Sequence, residues 1–241
     1  MSSTLRACWL FLILCLAITL PHPGTCAAPP QGQTGKILQL QKKYQQLHSL
    51  EFEFSQSTAT NGRIKQGSGK AVFYRPAARP GGTSTTGGIM RWDYTEPTVQ
   101  TIINDGKELS IYTPMDKQLI VSPAGEMESD ITYAIFTGTS SLLDQFVADP
   151  PDRQFVLNDP PVGFEAVLLT PRTPHSQLKR IQLWLGGDLT IHRLLMEDHF
   201  GALTELTFTK VRINALPTGD RHRAESLLKL DLPDGTEIIR Q

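Results

Sequence analysis

From residue 36 onward, hydrophobic positions recur first with a helical period and then with the period of a strand. Ile37, Leu40, Tyr44 and Leu47 form one stripe, with Lys36, Gln39, Lys42, Lys43 and Gln46 between them. The stripe predicts an amphipathic helix over Lys36–His48, with Thr34 placed to cap its start. Leu50, Phe52 and Phe54 then alternate with Glu51, Glu53 and Ser55, the pattern of a strand with one oily and one wet face. Ile64–Tyr74 reads as a strand in which Gly67 and Gly69 mark a bulge or bend. Ile89–Tyr94 and Thr98–Ile103 are short strands separated by Glu96-Pro97. Asn104-Asp105-Gly106 turns tightly into Glu108–Tyr112, and Lys117–Ser122 follows a turn at Thr113–Asp116.

The helical period returns once, in Met127–Val147. Ile131, Ile135 and Phe136, then Leu142, Leu143, Phe146 and Val147, suit two short helices divided by Gly138-Thr139-Ser140 and ended by Asp149-Pro150-Pro151-Asp152. Strands resume at Gln154–Asn158, Gly163–Thr170 and Leu178–Leu185. Gly186-Gly187-Asp188 turns into Leu189–Met196, and Asp198–Gly201 into Ala202–Ile213. Leu228–Leu232 is the last strand-like segment, ahead of Pro233-Asp234-Gly235.

The expected fold is mainly β (α+β), with about eleven strands in a single domain. Hairpin-length connections predict antiparallel pairing, because parallel neighbours need crossovers of about a dozen residues. A sheet that wide must curl or close, and two or three amphipathic helices suffice only to cap one face.

The first thirty residues change the picture. Arg6 is followed by an uncharged run, Ala7–Leu20, and then by small residues at Thr25, Ala27 and Ala28. This is the anatomy of a secretory signal peptide cut after Ala27 or Ala28. The remainder, residues 28–241, forms the expected domain. A bilayer-spanning anchor would need about 20 apolar residues, and Pro21 and Pro23 stop the run short. Cys8, Cys15 and Cys26 all precede the cut, so the exported domain would hold neither a disulfide nor a thiolate site. Retention of Cys26 as a lipidated first residue is the alternative, although Pro23-Gly24-Thr25 fits such a signal poorly. A net charge of −1 leaves no basic excess to displace counterions from nucleic acid.

Catalytic chemistry does not assemble from the remaining polar residues. His192 and Asp198-His199 lie near one hairpin, without a third ligand at metal-site spacing. His175-Ser176 has no nucleophile-elbow glycines, His48 ends the first helix, and Gly186-Gly187 joins strands rather than cradling phosphate. No catalytic or metal site and no cofactor is expected. What stands out is apolar: Phe52, Phe54, Val72, Met90, Trp92, Tyr94, Tyr112, Ile181, Leu183, Leu206 and Phe208 lie on strands that would share a sheet, either as a plain core or as the wall of an apolar ligand cavity.

The ordered motifs resemble the LolA family of periplasmic outer-membrane lipoprotein carriers. They run from Leu50-Glu51-Phe52-Glu53-Phe54-Ser55-Gln56 through Gly67-x-Gly69, Arg75-Pro76 and Arg91-Trp92-Asp93-Tyr94-x-x-Pro97. Asp105-Gly106-Lys107, Tyr112 with Pro114, and Leu228-x-Leu230-x-x-Pro233-x-Gly235 complete the series. The resemblance implies a single curved antiparallel sheet forming an incomplete barrel, closed by a lid of about three helices around a hydrophobic cavity for acyl chains. It places Ile131, Ile135, Phe136, Leu142, Leu143 and Phe146 in the lid. It also gives Arg75, six residues after Gly69, the role of bonding the closed lid. Arg79-Pro80-Gly81 repeats the Arg-Pro step ahead of a long Gly81–Gly88 loop.

The implied function is non-catalytic: a monomeric periplasmic chaperone. Its partners would be acylated lipoproteins, an inner-membrane ABC-type lipoprotein-releasing complex and an outer-membrane lipoprotein receptor, with no nucleic acid. Two alternatives share the fold: the outer-membrane receptor itself, if Cys26 is lipidated, and a regulatory domain that senses lipoproteins or other amphiphiles.

Overall fold

A computed structural model describes residues 32–76, 88–124, 131–138, 141–159, 162–174 and 178–241. The signal-peptide reading, Arg79, most of the Gly81–Gly88 loop and His175-Ser176 lie outside the described residues. Helix α1 (Gln33–Gln45) precedes strands β1 (Ser49–Thr60), β2 (Arg63–Tyr74), β3 (Ile89–Glu96), β4 (Gln100–Asn104), β5 (Glu108–Thr113) and β6 (Gln118–Pro123). Helices α2 (Ile131–Thr137) and α3 (Leu142–Gln145) follow, then β7 (Phe146–Asp149), β8 (Glu165–Pro171), β9 (Arg180–Leu185), β10 (Ile191–Glu197) and β11 (Leu203–Ile213). Helix α4 (Arg221–Leu228) and β12 (Glu237–Arg240) complete the order.

Among the described residues, twelve strands form one open, curved sheet in the order β12-β6-β5-β4-β3-β2-β1-β11-β10-β9-β8-β7. Its neighbouring pairs are antiparallel, including the long-range pair β1–β11, except at one edge. There β12 lies parallel to β6 after a long return of the chain along the outer face.

Asn61-Gly62 sets the register at the centre of the sheet. Both residues have positive φ, 50° and 76°, as a two-residue hairpin turn with the right twist demands. The turn brings Phe52 opposite Ala71 and Phe54 opposite Gly69, and β3 continues the row with Trp92 and Tyr94. Gly69 has a steric reason: a Cβ there would lie 2.1 Å from the Asp93 carbonyl oxygen, where the β2–β3 register shifts.

Side-chain alternation divides the sheet into two apolar faces. One carries the main core and is covered by α1, α2 and α3. The opposite, outer face carries smaller clusters. Tyr74, Ile89 and Ile103 pack against Leu227 of α4; Tyr112, Leu119 and Val121 pack against Leu230; Phe155 folds onto Trp184 and Leu195.

Several elements differ from the sequence reading. Helix α1 begins at Gln33 with Gly32 at the cap position, so Thr34 lies inside it. Phe146 and Val147 belong to β7, which pairs with β8, and α3 is a single turn capped by Ser141. Gln154–Asn158 is a loop rather than a strand. The side chain of Gln182, buried on β9, bonds the backbone of Asp152 and Phe155 and so satisfies groups that a ladder would otherwise pair. Leu228–Leu232 is the end of α4 and an extended stretch. The helix is started by the Asp220 carboxylate, which accepts from the Arg223 amide, and the final strand comes later.

Candidate functional site: the helix-covered face

The face beneath the helices is built mainly of aromatic rings. Phe52 lies 4.9 Å from Phe208 and 5.5 Å from Trp92, and Phe54 lies 4.9 Å from Trp92 and 4.8 Å from Tyr94. These rings stand on neighbouring strands whose registers place them side by side. Met90, Ile181, Leu183 and Leu206 join the same cluster. From the helices come Ile37, Leu40, Tyr44 and Leu47 of α1, Ile135 and Phe136 of α2, and Leu142 of α3, with Phe146 and Leu143 beside them. Phe136 fills the middle of the space, with ring centroids 5.2 Å from Phe52, 5.4 Å from Phe208 and 5.9 Å from Tyr44. None of Phe52, Phe136 and Phe208 is more than 4% exposed.

Nine of the eleven residues expected to line the face therefore meet on it. Val72 and Tyr112 do not. Val72 stands opposite Glu51 and Arg91, the residues between Leu50 and Phe52 and between Met90 and Trp92, so it points to the outer face and packs near α4. Tyr112 stands opposite Thr101, which itself faces Asp93, and the same parity sends it outward with Leu119 and Leu230. Counting from Asn61-Gly62 would have placed Val72 correctly. Among the expected lid residues, α2 begins with Ile131, and the remaining five all touch the core. Tyr44, Phe73, Val167, Leu169 and Leu194 also belong to the face; their signal is the same helical or two-residue period.

Polar contacts hold each of the covering helices down. Arg75 follows directly after β2, its amide bonded to the His48 carbonyl. Its Nη1 donates to the carbonyls of Gln45 (2.7 Å) and Leu47 (2.8 Å), and its Nη2 to that of Thr137 (2.6 Å). One guanidinium thus bridges the end of α1 to the end of α2, using the carbonyls that helix ends leave without an intrahelical partner. Burial lowers the Arg75 pKa, the neighbouring Tyr133 acts in the opposite sense, and a guanidinium stays charged throughout.

On α1, Lys43 Nζ donates to the Asp188 carbonyl (2.7 Å), to Asp188 Oδ2 (3.1 Å) and to Thr190 Oγ1 (2.8 Å). The Thr190 hydroxyl and amide, together with Lys43, hold the Asp188 carboxyl down to about pKa 2. Beside it the buried Tyr44 hydroxyl accepts from the Ile191 amide at 3.0 Å, and burial pushes its phenol well above the usual range. A further pair secures α3, whose Leu142 amide donates to Gln41 Oε1 while Arg172 Nε donates to the Leu143 carbonyl.

Among the described residues no histidine side chain joins the covered aromatic cluster. The His192 ring lies tilted at 51° against Phe164 with centroids 4.5 Å apart, the His48 ring bonds the Leu216 carbonyl, and His199 lies in the turn at the other end of β10. Among the described residues no cluster of three His, Cys, Asp or Glu side chains could hold a metal ion. No described helix is long and apolar enough to cross a membrane.

Residues 45–222 match the family described as outer membrane lipoprotein carrier protein LolA. The chain belongs to the LolA family. An outer-membrane lipoprotein carrier protein of Dechloromonas aromatica (strain RCB) is 28% identical over 224 residues, spanning 90% of this chain and 94% of the relative. The Nitrosomonas europaea protein of the same description is 24% identical over 236 residues, spanning 96% and 98%. An uncharacterized conserved protein from Thermus thermophilus shares the fold at a TM-score of 0.50 and 12% identity, over 87% of this chain and 100% of that one. Within this LolA-family chain the motif residues fall into two groups: Phe52, Phe54, Trp92 and Tyr94 meet on the covered face, whereas Gly69 and Arg75 fix the strand approach and bridge the helix ends.

Proposed function

We propose that the protein is a periplasmic carrier that holds the acyl chains of lipoproteins released by an inner-membrane ABC-type complex and delivers them to an outer-membrane receptor. The observation that carries this reading is a broad aromatic face covered by short helices, whose ends are joined by one arginine through three main-chain carbonyls. The names of the family relatives point the same way.

The physics suits a carrier. Each acyl methylene removed from water contributes about 0.8 kcal/mol, so a multiply acylated protein does not leave a membrane unaided. Chains entering under the helices would displace Phe136 and take over its contacts. Release would let Phe136 return and Arg75 rebind its carbonyls, at about 1.5–3 kcal/mol for each bond to a charged group. Closure thereby opposes retention, and cargo is held firmly yet given up.

The test is transfer of a lipoprotein from inner-membrane vesicles to acceptor membranes carrying the receptor. Arg75→Leu should still accept cargo but pass it on at least about tenfold more slowly. Equal transfer rates would remove Arg75 from the mechanism, and a wild-type protein that releases no lipoprotein from the vesicles would overturn the carrier reading itself.

A further inference from the structure

We propose that the cleft between β10 and β11, beside the turn that Lys43 of α1 grips, seats one hydrocarbon chain of an acylated ligand against the back of the covered face's aromatic wall. This rests on the carrier reading. The cleft exists because the sheet comes apart there. The β10–β11 ladder runs from Glu197 opposite Leu203 to Arg193 opposite Thr207 and then stops, although β11 continues along β1 as far as Ile213. In β1, Glu53 faces Thr209 and Glu51 faces Arg212, so Lys210 and Val211 share the space opposite Phe52 alone. Lys210 has φ 50°, and a bulge of this kind bends its strand away from a neighbour.

The space left is about 370 Å³, at the small end of the roughly 300–1,000 Å³ of ligand pockets, and suits one chain rather than several. Its inner wall is Phe208, Val211 and Ile213, and its rim is Asp188, Thr190, His192, Thr209 and Lys210. Phe208 is also one of the rings against Phe136 and Phe52. Phe208, only 2% exposed, stands between the cleft and the space that Phe136 fills, and Val211 and Ile213 pack against the same core, so a chain in the cleft would share this apolar wall with the covered face while Thr209 and Lys210 on the rim stay exposed. Lys43 fixes α1 to Asp188 and Thr190, two residues of the rim, so the helix is anchored to the edge of the cleft.

Commitment to an acyl chain gives a graded test. Synthetic lipopeptides with one, two and three acyl chains are titrated against the purified wild-type protein and against Val211→Trp, which fills the cleft from its inner wall. The expected result is that the variant binds the one- and two-chain peptides within about twofold of wild type and loses about tenfold or more for the three-chain peptide. If circular dichroism shows that Val211→Trp does not fold, Thr209→Trp on the exposed rim is put through the same comparison. Equal affinity for all three peptides, or one uniform loss across them, overturns the cleft. A wild-type protein that binds none of the lipopeptides overturns the carrier reading and the cleft with it.

Discussion

Lys43 and Arg75 both grip the last turn of α1, but against different acceptors. Arg75 meets only carbonyl oxygens, whereas Lys43 meets a carbonyl, a hydroxyl and the ionised Asp188 carboxylate. Only the second contact titrates. Asp188 has a folded pKa of about 2 against an unfolded value of about 3.9, a depressed carboxylate. Its contribution to stability is therefore complete above the unfolded value and is lost as pH falls from about 4 toward 2. Wild type should exceed Asp188→Asn in stability by a constant margin near neutrality, and that margin should shrink below pH 4. Denaturant melts at stepped pH would measure this. A margin that persists unchanged to pH 2, or that shrinks as pH rises, would show that the carboxylate is not what holds the turn.

At the scale of elements, α2 has only seven residues and is too short to persist alone in water. Its docking depends on Phe136 and on the Arg75 bond to Thr137. Phe136→Ala should destabilise the protein by about 3–5 kcal/mol, read as a lower denaturant midpoint at unchanged m-value. An unchanged midpoint would mean that α2 adds nothing to the closed form. Long elements with a clear period were legible in the sequence: α1 from its stripe, and β1 from Leu50, Phe52 and Phe54. Short ones were not. Phe146 and Val147 continue an apolar run that suits helix or strand equally, and pairing with β8 decides it. The site was legible wherever alternation within one strand fixes the face, as for Met90, Trp92 and Tyr94. It failed at Val72 and Tyr112, because parity between strands depends on where a turn places the register. The Arg75 bonds span distant parts of the chain, and the family motif pointed to that residue where periodicity could not.

At the scale of the whole molecule, the sheet is wide enough to have two apolar faces, each dressed differently. The covered face is closed by three separate helices, of which α1 and α2 meet at Arg75. The outer face is held by side chains gripping the returning chain. Arg91 bonds the Leu227 and Lys229 carbonyls, and the Tyr74 hydroxyl bonds those of Pro217 and Asp220. Tyr74 and Arg75 are adjacent, so one strand end serves both faces.

The position of Phe136 has a thermodynamic consequence. Apolar burial normally makes the heat capacity of binding strongly negative. On the proposed carrier role, an acyl chain would enter a space that Phe136 already fills, and the displaced ring would move out toward water. The two hydration changes oppose each other. The heat-capacity change of lipopeptide binding, measured by calorimetry over a range of temperatures, should thus be smaller in magnitude than burial of the chains alone would give. In Phe136→Ala, which has no ring to expel, it should be more negative. Uptake by such a carrier would then be less a matter of drying a cavity than of exchanging one resident hydrocarbon for another.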